Sequence, residues 1–147
     1  MILYADTSAL VKLFVVEEGS DSVRDLFRRA SLLGTSVLTR AELGAALARA
    51  VRRGLIQEEE GLEARRRLEV VWPTWVRIAV DERLTARAEA LAWEYGLRGC
   101  DAVHLAAALT WQDRVGHPLL LATFDGELGQ AAHRAGLEAW PEGIGRE

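Results

Sequence analysis

The sequence predicts an α/β sandwich: a short central parallel sheet covered by helices on both faces. Short β-like runs alternate with longer helical ones along the whole chain, and such alternation implies parallel strands joined through helices. The β-like runs are apolar almost throughout, as befits strands buried on both faces. No internal repeat, low-complexity tract or Pro/Gly/Ser linker divides the 147 residues, a length that suits a single domain.

Ile2-Leu3-Tyr4-Ala5 reads as the first buried strand, after which Asp6-Thr7-Ser8 offer capping side chains to a helix through about Val15. Ser20-Asp21 cap a second helix, with Val23, Leu26, Phe27 and Ala30 on one face, and Gly34 ends it. Ser36-Val37-Leu38 is a brief strand. Thr39 opens a helix that carries Glu42 and runs to Arg53, and a charged helix from Glu58 to about Val70 pairs with it as an exposed hairpin. Trp75 to Val80 forms a strand, and Asp81 caps a helix that stops at Gly96. A very apolar helix spans Gly99 to Asp113. Leu119 to Ala122 is a buried strand, Gly126 to Ala135 a helix, and Leu137 to Trp140 the last short strand.

Composition narrows the function classes. Half of the residues are hydrophobic, enough for a core, and Cys100 is the only cysteine, so no disulfide forms within the chain. The N-terminus lacks the basic start and long apolar stretch of a signal peptide, and no stretch has the ~18 apolar residues of a membrane span. A cytoplasmic protein is expected. The net charge of −4 argues against coating nucleic acid through overall charge, but a bound metal reverses the sign locally. Lys12 is the only lysine among 18 basic residues. That bias suits phosphate contacts through guanidinium forks, but a GC-rich genome gives the same bias and is the favoured explanation.

Functional groups of open parallel sheets gather beyond the carboxyl ends of the strands. Asp6 and Asp125 directly follow strand-like runs, Glu42 lies one helical turn beyond a third, and Asp101 opens the buried helix. Each has an ordinary explanation alone: Asp6 and Asp101 as helix caps, Asp125-Gly126 as a turn, Glu42 as a solvated charge. Together at one edge, four acids would repel one another unless a cation lay between them. An oxygen-only set favours Mg²⁺ or Mn²⁺ over Zn²⁺, and such ions act beside phosphate oxygens. Hydrolysis of a phosphate ester is the implied chemistry.

Four segments carry a resemblance: Tyr4-Ala5-Asp6-Thr7-Ser8-Ala9-Leu10, Thr39-Arg40-Ala41-Glu42-Leu43, Arg98-Gly99-Cys100-Asp101-Ala102-Val103-His104-Leu105-Ala106-Ala107-Ala108, and Thr123-Phe124-Asp125 with Leu128. In this order, across nearly the whole chain, they resemble the motifs of PIN-domain ribonucleases, especially the VapC toxins of prokaryotic toxin–antitoxin pairs. The resemblance implies a PIN-like three-layer α/β/α sandwich and an endoribonuclease dependent on Mg²⁺ or Mn²⁺. Asp6 and Asp101 would be the principal metal ligands, Glu42 and Asp125 would complete the acidic pocket, and Ser8 and Thr123 would support it by hydrogen bonding. It also implies an RNA substrate, a homodimer, and a small antitoxin wrapped around the hairpin from Leu43 to Leu68. A housekeeping RNA-processing nuclease and a non-catalytic module of the same fold remain open.

Neighbouring residues are assigned more plainly. His104, three residues after Asp101, is expected to be buried with one partner in the core or just behind the pocket. Cys100 is expected to be a small packed side chain. Arg40 and Arg98 would either contact RNA phosphates or balance the acids. Arg65-Arg66-Arg67 is expected to be a solvated helix face, and most of Trp72, Trp75, Trp93, Trp111 and Trp140 to be core or partner-contact residues. A haloacid-dehalogenase phosphatase would need a second Asp where Ser8 stands, and a receiver domain would need a late lysine.

Overall fold

In the computed structural model, residues 1–144 are described and follow the order β1 (Ile2–Ala5), α1 (Thr7–Leu10), α2 (Ser20–Arg29), β2 (Leu32–Ser36), α3 (Leu38–Arg52), α4 (Glu58–Val71), β3 (Val76–Ile78), α5 (Glu82–Tyr95), α6 (Gly99–Val115), β4 (Leu120–Ala122), α7 (Gly126–Arg134) and β5 (Glu138–Trp140). All strand pairings are parallel, in the order β3-β2-β1-β4-β5. β1 is central, with Leu3 opposite Leu33 on one side and Leu120 on the other.

Successive strand side chains point to opposite faces, and the core divides accordingly. Tyr4 and Leu121 pack on the face covered by α5, α6 and α7, whereas Leu3, Ala5 and Ala122 pack with Leu10, Leu26 and Leu43 on the other. The result is the expected three-layer α/β/α sandwich. Burial on both faces is why β1 and β4 read as continuous apolar runs. No helix among the described residues is long and apolar enough to cross a membrane.

Several local expectations are corrected. Gly34 does not end the second helix; that helix stops at Arg29, and Gly34 sits inside β2, which spans Leu32–Ser36 rather than Ser36–Leu38. The reason is packing from α6: a Cβ on Gly34 would lie 2.5 Å from the Trp111 ring. The first helix does not reach Val15. After Leu10 it tightens into a 3₁₀ turn over Val11–Leu13, where Lys12 is drawn to Glu17, the Glu18 carbonyl and the Phe124 ring. Ser20 closes the preceding loop, accepting from Glu17 N and donating to Val15 O, instead of capping α2. Gly96 ends α5 as expected, in the left-handed conformation (φ 68°), and turns the chain toward α6.

Candidate active site

The carboxyl ends of β1 and β4 lie side by side, with Ala5 paired to Ala122. Asp6 and Thr123 therefore emerge together, although 117 residues separate them. Asp6 caps α1 through the Ala9 amide, and Asp125 caps α7 through the Leu128 amide. Capping and lining the cleft coincide in both residues. Asp101, by contrast, lies within the first turn of α6. With Glu42 of α3, these three acids line one cleft of about 630 Å³.

Asp6 is the most enclosed of the four, at 4% exposure. Its Oδ1 accepts from Ser8 Oγ (2.7 Å) and the Ala9 amide (3.1 Å), and its Oδ2 accepts from Thr123 Oγ1 (2.7 Å). Ser8 Oγ accepts in turn from the Phe124 amide, and Thr123 Oγ1 from the Asp125 amide. Two hydroxyls thus tie the ends of β1 and β4 to one carboxylate. Burial pushes the Asp6 carboxyl above the ordinary aspartate value, against the opposing pull of His104 and these hydrogen bonds.

Glu42 is held from two sides. Thr7 Oγ1 donates to Oε1 at 2.8 Å, and His104 Nε2 lies 2.6 Å from the same oxygen. A carboxylate oxygen only accepts, so Nε2 carries the hydrogen. Behind it, His104 Nδ1 and the Tyr4 hydroxyl share a 2.8 Å hydrogen bond. Burial, reinforced by the charge of Asp6, pushes the Tyr4 phenol well above its usual value. For Glu42 burial acts upward, but the hydrogen bond and charge of His104, with Thr7, offset it and leave the carboxyl below the ordinary range. His104 is 2% exposed and has two partners, so it is both a core residue and a support of the cleft.

On the opposite wall Arg98 spans two acids, from Nε to Asp101 Oδ2 (3.0 Å) and from Nη2 to Asp125 Oδ2 (3.1 Å). The four acids share the cleft without closing on a point: among the described residues no three His, Cys, Asp or Glu side chains are placed to hold a metal ion together. Each instead has protein partners, which relieve the repulsion expected of four bare carboxylates.

Other expected residues fall differently. Arg40 does not line the cleft; its guanidinium lies 5.7 Å from the centre of the Trp72 ring. Cys100 is exposed at the cleft, not packed, because the first turn of α6 projects beyond the core before Ala102 and Leu105 enter it. Trp72, Trp75 and Trp111 are buried, Trp140 packs edge-on to Phe124, and Trp93 is 92% exposed. Two polar cleft residues went unnoticed in the sequence. Thr7 was legible only as a cap, and Arg49 signalled itself only by standing seven residues, two helical turns, after Glu42.

Comparison with known proteins fits this geometry. The chain is 37% identical over 141 residues, 95% of each chain, to ribonuclease VapC49 of Mycobacterium tuberculosis. In three dimensions it is similar to PAE2754 of Pyrobaculum aerophilum (TM-score 0.65, 24% identity, 99% of this chain and 97% of that one). It is also similar to a chain of a toxin–antitoxin complex from Klebsiella pneumoniae (TM-score 0.62, 22% identity, 88% and 90%). The PIN domain family model matches residues 3–134. The chain therefore belongs to the PIN-domain family, among the relatives of the VapC ribonucleases.

Proposed function

We propose that this protein is a divalent-metal-dependent endoribonuclease, the toxin of a toxin–antitoxin pair, with Asp6, Glu42, Asp101 and Asp125 as its active-site acids. The observation that carries the reading is one cleft lined by all four carboxylates at the carboxyl edge of the sheet, in a relative of a VapC ribonuclease.

The donor set fits a hydrated Mg²⁺ or Mn²⁺. Mg²⁺ keeps several waters and takes one or two carboxylates directly, so it does not require three side chains to close around it. Asp101 and Asp125 engage Arg98 through one oxygen each, and Glu42 engages its partners through Oε1 alone. Asp101 and Asp6 would hold the ion, with Glu42 and Asp125 reached through water. When bound, such an ion lowers the pKa of water and neutralises phosphate charge.

The chain's own residues do the positioning. Ser8 and Thr123 fix both oxygens of Asp6, so its carboxylate meets substrate without rearranging. Thr7 and His104 hold Glu42 ionised and aimed into the cleft, where it accepts hydrogen bonds from water. Arg98 balances Asp101 and Asp125, and its exposed guanidinium exchanges to a phosphate oxygen when RNA enters. The expected products carry a 5′-phosphate and a 3′-hydroxyl.

A structural neighbour supports the choice of a protein partner. The Klebsiella neighbour belongs to a toxin–antitoxin complex, and a small antitoxin encoded beside this chain is expected to cover the α3–α4 hairpin. Coexpression with the adjacent reading frame tests this: a copurifying small protein supports it, an unrelated neighbour counts against it. A homodimer suits the exposed Trp93, and light scattering that finds only monomer would reject it.

A non-catalytic module is the second reading, favoured by Arg98 already occupying two of the acids. Calorimetry with Mn²⁺ on the native chain and on Asp6→Ala separates the two. A nuclease gives heat that depends on Asp6; an inert module gives none.

A further inference from the structure

The cleft holds two guanidinium groups in different situations. Arg98 is committed to Asp101 and Asp125. Arg49, on the wall formed by α3, takes part in none of the ion pairs among the described residues. It belongs to a stripe of α3, Glu42, Ala45, Ala46 and Arg49, all lining the cleft. That spacing is one helix face read three and four residues at a time. It sets an acid and a base about 10 Å apart along the axis, with two methyl side chains between them.

The stripe has a chemical sense. A chain of net charge −4 whose cleft carries four acids repels an RNA backbone, so without metal the first attraction comes from a cation not paired with those acids, before Arg98 exchanges to phosphate. Alanines at 45 and 46 put only methyl groups on the wall between Glu42 and Arg49. Helical side chains lean back toward the N-terminus of their helix, and on α3 that is the end of the stripe that carries Glu42.

Resting on the nuclease reading above, we propose that Arg49 is a second phosphate-binding residue of the cleft, holding the RNA backbone at a phosphate adjacent to the one being cut, whereas Arg98 meets the scissile one. It is a positioning residue: it fixes register along the groove, while the acids act at the scissile bond.

The plain alternative is that Arg49 complements the dipole at the end of α3. Arg52 supplies the control. It stands in the same last turn but lines the groove between α3 and α4, not the cleft. Binding of a labelled uridine dodecamer is measured by fluorescence anisotropy in EDTA, so that nothing is cut, across a potassium chloride series. Arg49→Ala should bind severalfold more weakly at low salt, and its slope of log affinity against log salt should fall by about 0.7, the loss of one phosphate contact on a single strand. Arg49→Lys should keep the wild-type slope, and so should Arg52→Ala. A wild-type slope in Arg49→Ala, an equal loss in Arg52→Ala, or no binding by the wild-type chain would overturn the assignment. Failure of the nuclease reading looks different: Asp101→Ala cuts RNA at the wild-type rate while the slope still depends on Arg49.

Discussion

Thr123 donates a 2.7 Å hydrogen bond to Asp6 Oδ2, joining the ends of two neighbouring strands at the most buried acid of the cleft. Folding raises the Asp6 carboxyl, chiefly by burial. Its protonated form is therefore favoured in the folded chain. That contribution is complete below the ordinary aspartate range and is lost as pH climbs through the raised value. Asp6→Asn keeps an acceptor for Ser8 and removes the charge. Without metal it should melt higher than the wild type at neutral pH, and the gap should close in acid. Each kcal/mol appears as about 2–4 °C in a chain near this size. Calorimetric melting from mild acid to neutrality checks the sign; an Asn variant that melts lower at neutral pH contradicts it.

Removing Thr123 acts in the opposite direction. Thr123→Val leaves Asp6 Oδ2 and the Asp125 amide without their hydroxyl partner. Leaving a buried polar group unpaired costs about 1–3 kcal/mol, so the variant should unfold at correspondingly lower denaturant concentration.

His104 supports Glu42 through a buried ring whose other nitrogen meets Tyr4. Tyr4→Phe leaves the buried His104 Nδ1 without its donor and should cost about 1–3 kcal/mol, while slowing RNA cleavage only slightly. His104→Ala removes the ring and strands Tyr4, at a cost of about 2–4 kcal/mol. Glu42 then loses what holds its carboxyl low, so the acid limb of the cleavage profile should move to higher pH. Urea unfolding and a pH–rate profile separate the two effects, and a loss of stability without movement of the limb would show His104 to be purely structural.

Arg98 and a divalent cation compete for Asp101 and Asp125. Arg98→Ala should bind Mn²⁺ a few-fold more tightly, a modest gain because the guanidinium is well exposed. Titration calorimetry reads this directly, and weaker binding would contradict the competition.

Gly34 tests the packing that the sequence concealed. Gly34→Ala pushes a methyl group against Trp111 and should cost about 1–3 kcal/mol as overpacking. Trp111→Leu should relieve the clash, so the double variant should lose less than the sum of the two single ones.

Legibility followed range. The edge of Asp6 and Asp125 could be read because each stands immediately after an apolar strand and before a helix, where local chemistry and topology agree. The two-sided burial of β1 and β4 was legible for the same reason. Gly34 misled because a glycine after a helical pattern looks like a stop, while its actual reason, Trp111, lies 77 positions away on α6. Arg40 was chosen for sequence proximity to Glu42, yet two residues along a helix turn a side chain to another face, and Arg49, two turns on, shares the wall instead. Cys100 was expected to pack like its apolar neighbours, but the first turn of α6 stands proud of the core. Arg98 was legible as a balance for the acids because it stands three residues before Asp101, but its reach to Asp125 and the contact of His104 with Glu42 are tertiary and specified by no local pattern.

The most direct measurement is cleavage of labelled RNA by the purified wild-type chain and by Asp101→Asn, each in Mg²⁺ and in EDTA, with melting curves confirming that both are folded. Cleavage by the wild type in Mg²⁺ alone, with a loss of at least a hundredfold in the variant, is the predicted result. Equal cleavage by folded Asp101→Asn, or cleavage by the wild type undiminished in EDTA, would contradict it.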